Sequence, residues 1–198
     1  LNDKTRIAEQ ILSPEHWASE HINSIDYNPS LARKYIQELK FNEPIVLTLK
    51  TSTDPFRVKI ATLIQKQFED IGVKLIIKSL DWGTYFKDIQ AGEFQLYSLT
   101  WVGIRNPEIY EKIFDSKLIP PKGLNRSGYK DQEMDELIIN AKVSNLWDKV
   151  INKVNIDNIF MPLWFEGNFA AFNNKISGYY INNEGSWDAL KTVRKNYV

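Results

Sequence analysis

Cysteine is absent from this 198-residue chain, and histidine occurs only twice. The lack of cysteine removes disulfides, thiolate zinc sites and cysteine nucleophiles, and suits an oxidising compartment without demanding one. Net charge is missing too. Lys+Arg and Asp+Glu are both 25, so no basic field exists to hold nucleic acid or an anionic membrane surface. No apolar run approaches the roughly 20 residues that span a bilayer, and LNDKTRIAEQ has no signal-peptide pattern. The expectation is a cytosolic protein, or one whose leader lies outside this chain. Neither GxGxxG nor a phosphate-loop sequence occurs, so nucleotide binding has no support, and there is no internal repeat or low-complexity tract.

What is present is an ordinary globular mix, 43% hydrophobic and 25% charged, long enough for one sizeable domain or two small ones. Aromatic residues are conspicuous, with 6 Trp, 9 Tyr and 10 Phe. Such rings give large contact area with few rotatable bonds, which suits a ligand cleft and an ordinary core alike.

The pattern along the chain is α/β. LNDKTRIAEQIL has helical periodicity through Ile7, Ile11 and Leu12, but its abrupt start suggests a piece of something longer. A polar, turn-rich loop with Pro14 and Pro29 comes next, and Asn28-Pro29-Ser30 opens a helix with Leu31, Tyr35 and Leu39 on one face. IVLTLKTS reads as a strand. Asp54-Pro55 then starts a helix to Asp70, in which Val58, Ala61, Ile64, Phe68 and Ile71 should face a sheet. Gly72 stops that helix and VKLIIKSL resumes as a strand, which makes a βαβ unit with parallel strands. Asp81 caps a helix WGTYFKDIQAG closed by Gly92, and FQLYSLTWVG makes a third strand. Pro107 opens the helix PEIYEKIFDSK, LIPPKGLNRSGYKD is a loop, and further helices run from about Gln132 to Val143 and over NLWDKVINKVNIDNI. FMPLWF reads as a strand whose Pro162 implies a sheet edge or a bulge.

Catalytic signatures are hard to find. His16 and His21 both lie in the early polar loop, with no nucleophile motif nearby, and a spacing of five is poor for one helical face. The carboxylates Asp131, Glu133, Asp135 and Glu136 belong to the solvated face of an amphipathic helix. No metal or cofactor is expected.

The order of segments resembles the C-terminal lobe of the family 5 extracellular solute-binding proteins, the peptide- and nickel-binding proteins of ABC importers. YNPSLARKYIQEL, EDIGVKLIIKSLDWGTYFKDIQAGEFQLYSLTWVG, NPEIYEKIF, GLNRSGYKDQEMDELI, FMPLWFEGN and KISGYYIN carry the resemblance. It implies an α/β, periplasmic-binding-protein type II-like lobe, a mixed sheet with flanking helices. It also implies that residues 27–198 form the lobe and 1–26 a partial connecting segment, with most of the N-terminal lobe outside this chain. The implied ligand is a small solute or oligopeptide and the implied partners are ABC permease subunits, with no role for nucleic acid. The implied location is the periplasm, or a lipoprotein outside the membrane.

The resemblance also proposes site residues. In peptide-binding members the strand ending in Trp leads to an acidic residue that pairs with the peptide's α-amino group. Trp101 and Gly103 match that pattern, but Ile104 stands where the Asp is expected. A buried ammonium without a carboxylate carries a desolvation cost of several kcal/mol, so ordinary recognition of a free peptide N-terminus is in doubt. Arg105 favours an anionic or carboxylate-bearing ligand if it points into the cleft, and is otherwise a solvated loop cation. Trp101 reads as cleft-lining in preference to core, and Trp82 as either. Asn106-Pro107 reads as a helix cap. Asn125, Arg126 and Tyr129 read chiefly as holding their loop, with ligand contact second. Trp164 reads as packing, with Glu166 beside it as a further candidate. The competing class is a catalytic α/β domain such as a hydrolase, which needs a nucleophile and base that the sequence does not display.

Overall fold

The computed structural model describes residues 6–20, 26–181 and 186–196; His21 lies outside them. In chain order the elements are β1 (Arg6–Ile7), α1 (Pro29–Glu38), β2 (Val46–Ser52), α2 (Pro55–Asp70), β3 (Lys74–Leu80), α3 (Trp82–Ala91), β4 (Leu96–Tyr97), α4 (Ile109–Phe114), α5 (Gln132–Ser144), α6 (Asp148–Asp157), β5 (Trp164–Phe165), β6 (Ile176–Ser177) and β7 (Arg194–Lys195), with short 3-10 turns at Ser116–Leu118 and Trp187–Thr192. The chain divides into two compact units. One comprises residues 24–99 and 116–130, the other residues 1–23, 100–115 and 131–198.

The first unit is built on the βαβ unit that the sequence spells. β2 is central and parallel to both neighbours, from Val46↔Lys74 to Ser52↔Leu80 on one side and at Leu49↔Leu96 on the other. Alternation along β2 sends Leu47 and Leu49 to one face, where Ala61, Ile64 and Phe68 of α2 pack on them with Leu75, Ile77 and Leu96. Full burial of a leucine such as Leu49 or Leu75 stabilises by about 1.5–3 kcal/mol. The other face carries Lys50, whose ammonium meets Asp88 of α3 at 2.6 Å, with both side chains largely shielded. Tyr85 and Ile89 of α3 are fully buried.

Helix boundaries are set by their caps. Asn28, Asp54 and Asp81 accept from the amides of Leu31, Arg57 and Thr84, and Pro29 and Pro55 occupy first turns, where an amide would have no helical partner. Gly92 closes α3 at φ +74°, a left-handed conformation that favours glycine. α1 is a helix as expected, but it buries none of its residues, and Leu31, Tyr35 and Leu39 are exposed.

The second unit is mainly helical. α4, α5 and α6 pack in sequence around Tyr110, Phe114, Met134, Ile138, Val150 and Ile151, all nearly or fully buried. The Lys142 ammonium meets Glu111 at 2.6 Å, and Lys153 meets Asp131, Glu133 and Asp157 at 3.0–3.4 Å. Two short antiparallel ladders, β1 with β5 and β6 with β7, complete it.

Four readings need correction. Residues 6–20 form no helix: Arg6 and Ile7 pair with Phe165 and Trp164 as strand, and turns come after them. The strand expected over 94–103 is only Leu96–Tyr97, because the Ser98 carbonyl is taken by side chains. The FMPLWF strand shrinks to Trp164–Phe165, beyond Pro162, which has no amide to give a ladder. α4 starts after Glu108 without a side-chain cap, so Asn106 supplies only its carbonyl, 3.4 Å from the Ile109 amide.

Candidate functional site

In the first unit, the three parallel strands end side by side at Ser52, Leu80 and Tyr97, and the chain leaving each of them is polar or aromatic. Arg57 lies in the first turn of α2. Its guanidinium donates to the Ser98 carbonyl at 3.3 Å and sits 5.6 Å from the centre of the Trp82 ring. Trp82 opens α3, is 53% exposed and stacks on Phe86, with centroids 5.9 Å apart and planes 19° apart. The Arg126 guanidinium lies over Phe86 at 5.5 Å. The result is a row of cation, indole, phenyl and cation at the carboxyl ends of the strands, where ligands bind in open α/β sheets.

The Ser98 carbonyl fixes this row. The Tyr85 hydroxyl also donates to it, at 2.5 Å, and burial pushes the Tyr85 pKa up, so the hydroxyl remains a donor. Among the described residues the Arg57 guanidinium has that carbonyl as its hydrogen-bond partner, leaving further donors of a five-donor fork for a carboxylate. Arg57 was not legible as a site residue. The signal was its place three residues after a strand-end Asp cap.

Asn125 is fully buried and is used within its own loop. Its amide donates to the Leu118 carbonyl, its side-chain Nδ2 to the Tyr129 carbonyl at 2.8 Å, and its Oδ1 accepts from the Ser127 hydroxyl and the Tyr129 amide. Tyr129 is half-buried through this arrangement.

In the second unit, Trp101, Gly103, Ile104 and Arg105 share a segment with no helix or strand. Trp101 and Ile104 are half-buried and Arg105 is exposed, while Gly103 adopts φ +73°. Trp101 therefore lies beyond the end of β4 instead of on it. The Arg105 carbonyl is 3.2 Å from Nε2 of His16. Lys191, first, then Ser186 and the charge of Arg105 hold the Asp188 carboxyl below its usual range. Trp164 is half-buried in β5 opposite Ile7, and Glu166 is exposed. The candidate residues thus fall into two groups: Trp82, Asn125 and Tyr129 in the first unit, and Trp101, Gly103, Ile104, Arg105 and Trp164 in the second.

This chain has the fold of the type II periplasmic-binding proteins. Solved structures share it: the oligopeptide-binding protein AppA from Bacillus subtilis in complex with a nonapeptide (TM-score 0.79, 20% identity, 96% of this chain and 42% of that one), and DppA from Helicobacter pylori in complex with peptide STSA (0.81, 20%, 98% and 40%). Residues 1–114 match the bacterial extracellular solute-binding proteins, family 5 middle, and the chain belongs to that family. Its relatives include a probable di/tripeptide-binding protein 5 of Pseudomonas aeruginosa, 24% identical over 95% of this chain, and the dipeptide-binding protein DppE of Bacillus subtilis, 29% identical over 84% of it. The chain spans 38% and 31% of the length of those two relatives.

Proposed function

We propose that this chain supplies part of the ligand-binding portion of an ABC importer's solute-binding protein, which captures a small solute, foremost an oligopeptide, between two lobes and delivers it to membrane permease subunits. The observation that carries this reading is the Arg57–Trp82 pair at the strand ends, an exposed aromatic face beside a guanidinium with donors to spare. Relatives named for di- and tripeptides support the ligand class. In this reading residues 27–198 belong to one lobe and 1–26 connect to the other. In the first unit Trp82 and Arg57 contact the solute and Asn125 and Tyr129 support their loop; in the second, Trp101, Gly103, Ile104 and Arg105 are proposed, separately, as ligand-binding residues. Trp164 packs within the β1–β5 ladder, opposite Ile7. Capture is favoured by whichever lobe arrangement binds the solute more tightly. The protein works outside the cytoplasmic membrane, in the periplasm or as an anchored lipoprotein. Membership of a solute-binding family favours this reading over a hydrolase.

Ile104 gives the ligand question its edge, because an apolar side chain at that position offers nothing to an α-ammonium. A thermal-shift screen of the whole protein against pooled di- to pentapeptides, with acetylated counterparts alongside, tests the proposal. A ligand at about 100 times its Kd adds about 2.7 kcal/mol of apparent stability. Stabilisation by peptides, acetylated ones included, is expected. No shift with any peptide would move the ligand to another class of solute.

A further inference from the structure

We infer that His16 is a positioning residue for the Trp101–Arg105 segment, acting through its neutral ring. His16 sits where two turns meet: its amide donates to the Ser13 carbonyl and its carbonyl accepts from the Ser19 amide, each at 2.9 Å. The base under these turns is firm. Ile11, Leu12 and Ala18 are buried, and Nε2 of the Gln10 side chain donates to the Ser19 hydroxyl and the Glu20 carbonyl at 2.7 Å each.

The ring bonds assign its tautomer. Nδ1 lies 3.1 Å from the Ala18 amide nitrogen, which can only donate, so Nδ1 carries a lone pair. Nε2 lies 3.2 Å from the Arg105 carbonyl, which can only accept, so the single ring hydrogen belongs on Nε2. The neutral Nε2–H imidazole satisfies both partners at once. It ties a rigid turn to the backbone of a segment that has no helix or strand of its own.

A second ring proton would stand on Nδ1, facing the Ala18 N–H, and two donors repel. A doubly protonated ring therefore loses one of its two bonds.

The functional part of this inference rests on the proposed role of residues 101–105 in binding, so the test begins without ligand. In the full chain labelled with 15N, His21→Gln leaves His16 as the sole histidine. Its ring nitrogens at about pH 7.5 are expected to show the Nε2–H neutral form; the Nδ1–H form, or an imidazolium, overturns the assignment. The Asn106 amide shares its peptide with the Arg105 carbonyl. Its signal is expected to stay near its native position in His16→Gln, which keeps a side-chain donor, and to be displaced in His16→Leu, which has none. An Asn106 signal displaced as far in His16→Gln as in His16→Leu, or unmoved in both, overturns the tether; should His16→Leu not fold, an unmoved Asn106 signal in His16→Ala does so. In the whole protein, the di- or tripeptide that stabilises it most is expected to bind His16→Leu about fivefold more weakly, the factor of one typical hydrogen bond, and His16→Gln near normally. Unchanged affinity in His16→Leu overturns the positioning role. Failure of every peptide to bind counts against the proposed function, and leaves the ring and amide results to decide the tether.

Discussion

Arg57 lies over the indole of Trp82 at 5.6 Å while its guanidinium donates to the Ser98 carbonyl, so a side chain of α2 joins the ends of β3 and β4 across the edge of the sheet. The pair has little else to do. Trp82 is more than half exposed, and an exposed cation–π contact stabilises by about 0.5–1 kcal/mol. Trp82→Ala and Arg57→Gln are each expected to lower unfolding stability by no more than about 1–2 kcal/mol, measured by urea denaturation. A loss of about 4 kcal/mol in either would make the row a structural staple.

Asn125 is the opposite case. Its side chain satisfies one carbonyl, one amide and one hydroxyl inside a loop and is fully buried. Asn125→Ala should remove those three bonds at a cost of about 2–3 kcal/mol, seen as a lower urea midpoint with an unchanged slope. A change below about 0.5 kcal/mol would mean the loop holds itself.

The Lys50–Asp88 pair can be weighed by exchange. Asp88→Ala strands a shielded ammonium and is expected to cost about 3 kcal/mol, whereas Lys50→Met with Asp88→Leu should recover most of it. Additive losses in the double variant would show that the two groups contribute independently.

Acid should loosen α3 through its cap. Hydrogen bonds from the Thr84 side chain and amide hold the Asp81 carboxyl below its usual range. A carboxyl lowered in the fold stabilises above its unfolded value and loses that contribution as pH falls through the folded one. Asp81→Asn keeps the cap without titrating. The stability advantage of the native chain over Asp81→Asn is therefore expected to be larger at about pH 6 than at about pH 3. An advantage that is flat with pH would contradict the assignment.

Much of the first unit could be read from residues 45–92, because local signals there agree with the tertiary answer. Period-two apolar runs, Asp54 and Asp81 as caps, and Gly92 in a left-handed stop all point to the same elements. Where the reading failed, a long-range partner decided the outcome. Ile7, Ile11 and Leu12 have helical spacing, yet residues 6–7 are recruited by Trp164–Phe165, more than 150 residues away. The apolar run through Leu99 and Trp101 invites a long strand, but the Ser98 carbonyl is claimed by Tyr85 and Arg57. The same bonds hid Arg57, whose pattern is that of any helix-opening residue and whose role depends on a tryptophan 25 positions later. Nothing in the sequence marks His16, because its partner, the Arg105 carbonyl, has no side-chain signature.

The most direct measurement is calorimetric titration of the whole protein, native, Trp82→Ala and Arg57→Gln, with the peptide that stabilises it most. If the strand-end pair holds solute, each substitution weakens binding by about tenfold or more while the ligand-free proteins unfold within about 2 kcal/mol of one another. Affinities that match the native value in both variants would contradict the account.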